Sequence, residues 1–133
     1  MCLTVLPNCK PEIAQEDITC WKTVKHVHDI CWKAPVMGTF HKYNRVLVAC
    51  DKLKMVHAYG GIFCDFDFID EGFHAYTNID YAKNKLKQNK LKLFSSRILV
   101  KCTIPAGAEY CLGFDNEIVA NKMIVHKPNE SKK

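Results

Sequence analysis

No C-x-x-C pair, no P-loop, no G-x-G-x-x-G and no paired H-x-[ST] motif occurs in this chain. Each absence removes a chemistry. Without closely spaced cysteines the strong zinc signature is missing, and without the glycine-rich loops there is no recognisable phosphate cradle. His74 is followed two residues along by Tyr76, not by a serine or threonine, and no second copy exists, so a two-motif phosphoesterase is not supported. Asp65, Asp67, Asp70 and Glu71 crowd one segment but lack the glycine and distal glutamate of a calcium-binding EF-hand loop. Alternating aspartates facing solvent on a strand explain them more simply, and would guard a sheet edge. No apolar run approaches the roughly 18 residues a membrane-spanning helix needs. The segment Met1 to Pro7 has no basic start, and its apolar run ends at a proline, so no secretory signal is expected.

What is present is ordinary for a folded domain. The 133 residues are 48% hydrophobic and 25% charged, which suits one domain with one main core. The eight cysteines are even in number, yet Cys20 and Cys102 lie inside apolar strand-like runs, where a thiol behaves as a small hydrophobe. Reduced thiols and a cytoplasmic location follow as expectations. The net charge of +5 draws on Lys83, Lys85, Lys87, Lys90 and Lys92. These lack the interleaved aromatics of a single-strand binder, and they suit the solvated face and carboxyl end of a helix. Nucleic acid and membrane are therefore not expected partners.

Hydrophobic periodicity predicts a mainly antiparallel, β-rich α+β domain with one clear amphipathic helix. Pro7 and Pro11 predict an irregular lead over residues 1–16. Ile18 to Val27 alternates as a strand, Ile30 to Ala34 suggests a second, and Thr39 to Tyr43 and Arg45 to Ala49 suggest one bent strand or two. Asp51 to Tyr59 fits either a short helix or a loop, and Gly60-Gly61 breaks the chain after it. From Phe63 to Ile69, Phe66 and Phe68 alternate with Asp65 and Asp67. A strand over Phe73 to Tyr76 leads into a helix from Ile79 to about Asn89, capped by Asn78, with Ile79, Ala82 and Leu86 as its apolar stripe. Arg97 to Ile104 is a strand stopped by Pro105-Ala106-Gly107, and Glu109 to Leu112, Glu117 to Ala120 and Lys122 to His126 follow. Residues 128–133 read as a disordered tail.

The segment from Gly72 to Ala82 carries the candidate site. A strand end and a helix start both present polar groups to whatever lies between them. Here that junction holds His74, Tyr76, Thr77 and Asn78, and Lys22 on the first long strand is the candidate cation beside them. The best metal candidate is His26 with His28, which share one side of a regular strand. No further ligand is assignable, so no metal is expected. Trp21, Trp32, Phe73 and Tyr76 are the large groups a core of this size needs, although aromatics also line nucleotide pockets.

Three segments in order carry a resemblance. Glu16 to Lys22, Glu71 to Tyr76, and Ile104 to Tyr110 leading into Glu117 to Val125 resemble a group of small uncharacterised proteins of gut bacteria and their phages. These share an ITC-aromatic-K strand, a GFHA strand before a helix and a late IPxGxxY strand. A weaker likeness runs to ADP-ribosyltransferase folds. It puts Lys22 where an arginine is usual, Tyr76-Thr77-Asn78 where Ser-Thr-Ser is usual, and Glu117, two residues after Asp115, at the catalytic glutamate. That likeness implies NAD as cofactor, Glu117 on the ribose hydroxyl, Lys22 on the pyrophosphate and Tyr76 on the nicotinamide.

The expected function is a small mobile-element-type binding protein, acting in the host cytoplasm if phage-encoded. It would hold a nucleotide-like small molecule, or block a host protein, around Lys22, His74, Tyr76, Thr77 and Asn78. The alternatives are an ADP-ribosyl-transferring enzyme using Glu117 and a purely structural interaction domain.

Overall fold

Successive side chains leave a strand on opposite faces, so a run that alternates in polarity folds best with one face covered. Ile18 to His28 obeys that rule and forms the long central strand. The structure, a computed structural model, describes residues 3–6, 9–28, 31–33, 40–59, 65–69, 71–93 and 97–128. Its strands in chain order are β1 (Leu3–Thr4), β2 (Glu12–Ile13), β3 (Ile18–His28), β4 (Cys31–Lys33), β5 (Phe40–Lys42), β6 (Val46–Val48), β7 (Val56–Tyr59), β8 (Asp65–Ile69) and β9 (Phe73–Tyr76). Helix α1 (Ile79–Leu93) follows, then β10 (Arg97–Ile104), β11 (Glu109–Leu112), β12 (Glu117–Ala120) and β13 (Lys122–Val125).

All the strand pairings among the described residues are antiparallel. The large sheet runs β2-β11-β12-β9-β3-β10-β13-β6, with β4 and β5 continuing from the far half of β3. The small sheet runs β1-β8-β7. The fold is thus an antiparallel β-rich α+β domain with one helix among the described residues.

Register separates the two faces of the large sheet. Residues directly opposite across antiparallel strands share a face. Glu117, Tyr76, Trp21 and Lys101 form such a row across β12, β9, β3 and β10. One residue along, Ile118 and Ala75 on one side and Lys22 and Val100 on the other turn to the opposite face. That inner face is the main core, with Cys20, Val24, Trp32, Val100 and Cys102 all sealed from solvent. Each large aliphatic group buried there contributes about 1.5–3 kcal/mol. Helix α1 packs on the outer face against β10, β3 and β9, and the small sheet closes a second core of Leu3, Val5, Leu53, Ile69, Cys111 and Val119.

Tight turns set the β10–β11–β12 register. At Pro105-Ala106-Gly107-Ala108 the Ala108 N–H donates to the Pro105 carbonyl over 3.1 Å, and Gly107 takes φ +90°, the left-handed residue a type II turn needs. Between β11 and β12, Asp115 and Asn116 have φ of 59° and 60°. The Glu117 N–H donates back to the Phe114 carbonyl, closing a type I′ turn whose twist suits a hairpin. Asn121 ties the next strand in. Its side chain accepts from Glu109 N–H and donates to the Asp51 carbonyl, at 2.9 and 2.8 Å.

Several elements differ from the pattern expected of the sequence. The lead is not irregular throughout: β1 pairs with β8, β2 with β11, and Leu3 and Val5 are buried. Two prolines could not signal that, because the partner strands are distant in sequence. The segment from Asp51 is a loop that ends in a strand, β7, rather than a short helix. In β8 the aspartate side is not simply the solvent side. Ile69 shares it and is fully buried opposite Leu3, while Phe68, on the other side opposite exposed Thr4, is only half-buried. Covering one side of β8 with the second core, not counting apolar residues per side, decides which way it faces. Helix α1 runs to Leu93, since Lys90-Leu91-Lys92-Leu93 are all helix formers. Of its expected stripe Ala82 is fully buried, Leu86 half-buried and Ile79 exposed. Gly60-Gly61 and residues 129–133 of the expected tail lie outside the described residues.

Candidate functional site

The outer-face row converges on the corner between β9 and α1. Asn78 begins the helix: its side-chain oxygen accepts from Tyr81 N–H at 2.9 Å, satisfying a donor that the helix leaves open. Asn78 therefore has a structural task at this corner. Thr77 is bound to the type I′ turn, both its N–H and its hydroxyl reaching the Asn116 carbonyl, at 2.8 and 3.2 Å. That clamp holds the β11–β12 hairpin against the helix start.

Between clamp and helix lies a half-buried shelf. Tyr76 stands opposite Glu117 on one side and Trp21 on the other. The Tyr81 ring comes from the helix to 5.4 Å from the Tyr76 ring, inclined at 55°, and Lys85 lies 5.5 Å over Tyr81. Burial raises the Glu117 carboxyl above its ordinary value, with nearby Asp115 adding to the rise and Lys85 opposing it. Burial also raises the Tyr76 phenol, with Glu117 and Tyr81 adding and Arg97 opposing. Two phenols, a reluctant carboxylate and two cations thus share one partly open surface. Such a surface can stack a planar group, accept a hydroxyl proton at Glu117 and meet an anion at Lys85 or Arg97.

Lys22 is not on this shelf. Trp21 faces outward with Tyr76, so Lys22 turns to the inner face with Cys20 and Val24. Its Nζ donates to the His74 carbonyl over 2.6 Å and lies 5.9 Å over the Trp32 ring. Burial pushes this amine below the ordinary lysine value, against the opposite pull of Cys102 and Cys20. The His74 ring, two residues before Tyr76, is on the outer face opposite Val119, so Lys22 meets only its backbone. The residues grouped by sequence therefore separate: Tyr76, Thr77, Asn78 and Glu117 surround the corner, while Lys22 lies behind the sheet.

His26 and His28 pair with Trp32 and Cys31 across an irregularity in the β3–β4 ladder. Among the described residues no group of three metal-ligating side chains exists. Cys9, Cys20, Cys50, Cys102 and Cys111 are free thiols.

Nothing in the sequence alone singles out Tyr81, Lys85 and Arg97 as shelf residues. Tyr81 is legible in principle, because it is the third residue of the helix that Asn78 caps. Arg97 is not, since it begins a strand brought near Tyr76 only by the fold. Among the described residues no helix is long and apolar enough to cross a membrane. No protein-family model, curated protein or solved structure matches the chain.

Proposed function

We propose that this chain is a small binding protein that holds a nucleotide-like molecule on the Tyr76–Glu117 shelf without transforming it. The observation that supports this reading is the pairing of Tyr76 with Glu117 beneath Tyr81, all half-buried and none consumed by the main core. A base would lie against Tyr76 and Tyr81, a ribose hydroxyl would donate to Glu117, and phosphate oxygens would accept from Lys85 or Arg97. A protein of this kind acts by withdrawing its ligand, the mode expected of a mobile-element binder.

A second reading, ADP-ribosyl transfer from NAD by an ADP-ribosyltransferase-like fold, rests on Glu117 lying beside the strand-to-helix corner. It has lost the basic residue once expected of Lys22, which leaves Lys85 and Arg97 as the shelf cations.

Equilibrium titration with ADP-ribose and with NAD tests both. The binding reading expects Tyr76→Ala and Glu117→Gln each to weaken ADP-ribose about tenfold or more, the scale of a lost charge-assisted contact. It also expects NAD to be recovered intact. NAD consumption abolished by Glu117→Gln would establish the second reading, and unchanged affinity in both variants would remove the shelf as a site.

A further inference from the structure

A lysine amine among sealed apolar groups is costly unless something meets it, because a buried charge without a partner loses its hydration. Lys22 is in that position. Its neighbours Cys20, Val24, Trp32 and Cys102 are fully covered, yet Lys22 itself retains accessible surface. Among the described residues no carboxylate pairs with it; the His74 carbonyl takes one of its protons. Trp32 belongs to the same core, and its indole nitrogen is buried without a hydrogen-bond partner among the described residues. Buried donors are nearly always satisfied, so an orphaned one implies a missing acceptor.

Flat rings lie beside these donors. His41 lies against Trp32 with ring centroids 4.7 Å apart and meets Phe73 edge-on at 5.9 Å. Burial and the nearby Lys22 both push the His41 imidazole down, which keeps that ring neutral. Cys20 and Cys102 stand opposite one another on β3 and β10, and the hydrogen bond with Cys20, with burial adding to it, pushes the Cys102 thiol well up, so it supplies no anion.

We propose that the partly exposed surface at Lys22, His41 and Phe73, with buried Trp32 beside them, is a second binding site, taking a small ligand with a carboxylate and a compact apolar body. Its oxygens accept from the Lys22 Nζ and the Trp32 Nε1, and its body lies against His41 and Phe73. This site is on the opposite face of the sheet from the Tyr76–Glu117 shelf and stands independently of it.

The test is NMR titration of the full chain with sodium acetate and sodium benzoate, with benzamide as the uncharged counterpart. The expected result is a saturable shift of the Trp32 indole N–H signal with at least one carboxylate, larger than that of Trp21, and none with benzamide. Lys22→Met should weaken the effect about tenfold or more, as befits a lost hydrogen bond to a charged group. Trp32→Phe, which keeps most of the volume and removes the donor, should weaken it several-fold and serves if Lys22→Met does not fold. The proposal is overturned if neither carboxylate shifts Trp32 at roughly tens of millimolar. It is equally overturned if benzamide acts as well as benzoate, or if a folded variant at either position binds like the parent.

Discussion

Glu117 and Tyr76 stand directly opposite one another in the β12–β9 ladder, and the Tyr81 ring reaches the same place from the helix. The carboxyl and the phenol are thereby both drawn partly out of water, and Glu117 makes ionisation of Tyr76 harder still. Both groups are half-buried rather than sealed in the core, so they are available to a ligand.

The Glu117 carboxyl is raised above 4.5, so the folded state holds its proton more tightly than the unfolded chain. Its stabilising contribution is full below 4.5 and is lost as pH rises through the folded value. Glu117→Gln has no such titration. Denaturant midpoints of the two proteins, measured from neutral pH down to 4.5, should show the parent gaining on the variant as the pH falls.

Lys22 has the opposite sign. Its amine is lowered from 10.5, so the unfolded chain binds the proton more tightly and stability rises with pH through that interval. Compared with Lys22→Met, the parent should gain stability between neutral pH and 10.5. A flat difference across that range would place the amine in water rather than in the core.

Asn78→Ala removes the cap over Tyr81 N–H. The expected loss is about 1 kcal/mol in urea unfolding. The corner should otherwise persist, because Thr77 remains bound to Asn116. Ligand affinity at the shelf should change little, which separates the structural Asn78 from Tyr76 and Glu117.

Asn121→Ala should cost more, about 2–4 kcal/mol, because two backbone groups, Glu109 N–H and the Asp51 carbonyl, lose their partner at once. Asn121 itself is 3% exposed, so water cannot simply replace the amide. Chemical denaturation of the variant checks the magnitude.

Local signals suffice for several elements. Arg97 to Ile104 alternates and ends at a proline turn, and it is a strand over that range. Asn78 was legible as a cap because the residues after it carry a helical stripe. What stayed hidden depends on which strands meet. Nothing local shows that Leu3 packs opposite Ile69, or that Trp21 rather than Lys22 shares a face with Tyr76. One step of register reversed the role of Lys22, because a strand's side chains change face at every residue.

A native mass spectrum of the chain purified from cells under reducing conditions tests the binding account most directly. The account predicts added mass of nucleotide size on the parent, lost in Tyr76→Ala and Glu117→Gln. The same added mass persisting in both folded variants, or a bare chain that also fails to take up added ADP-ribose, would contradict it.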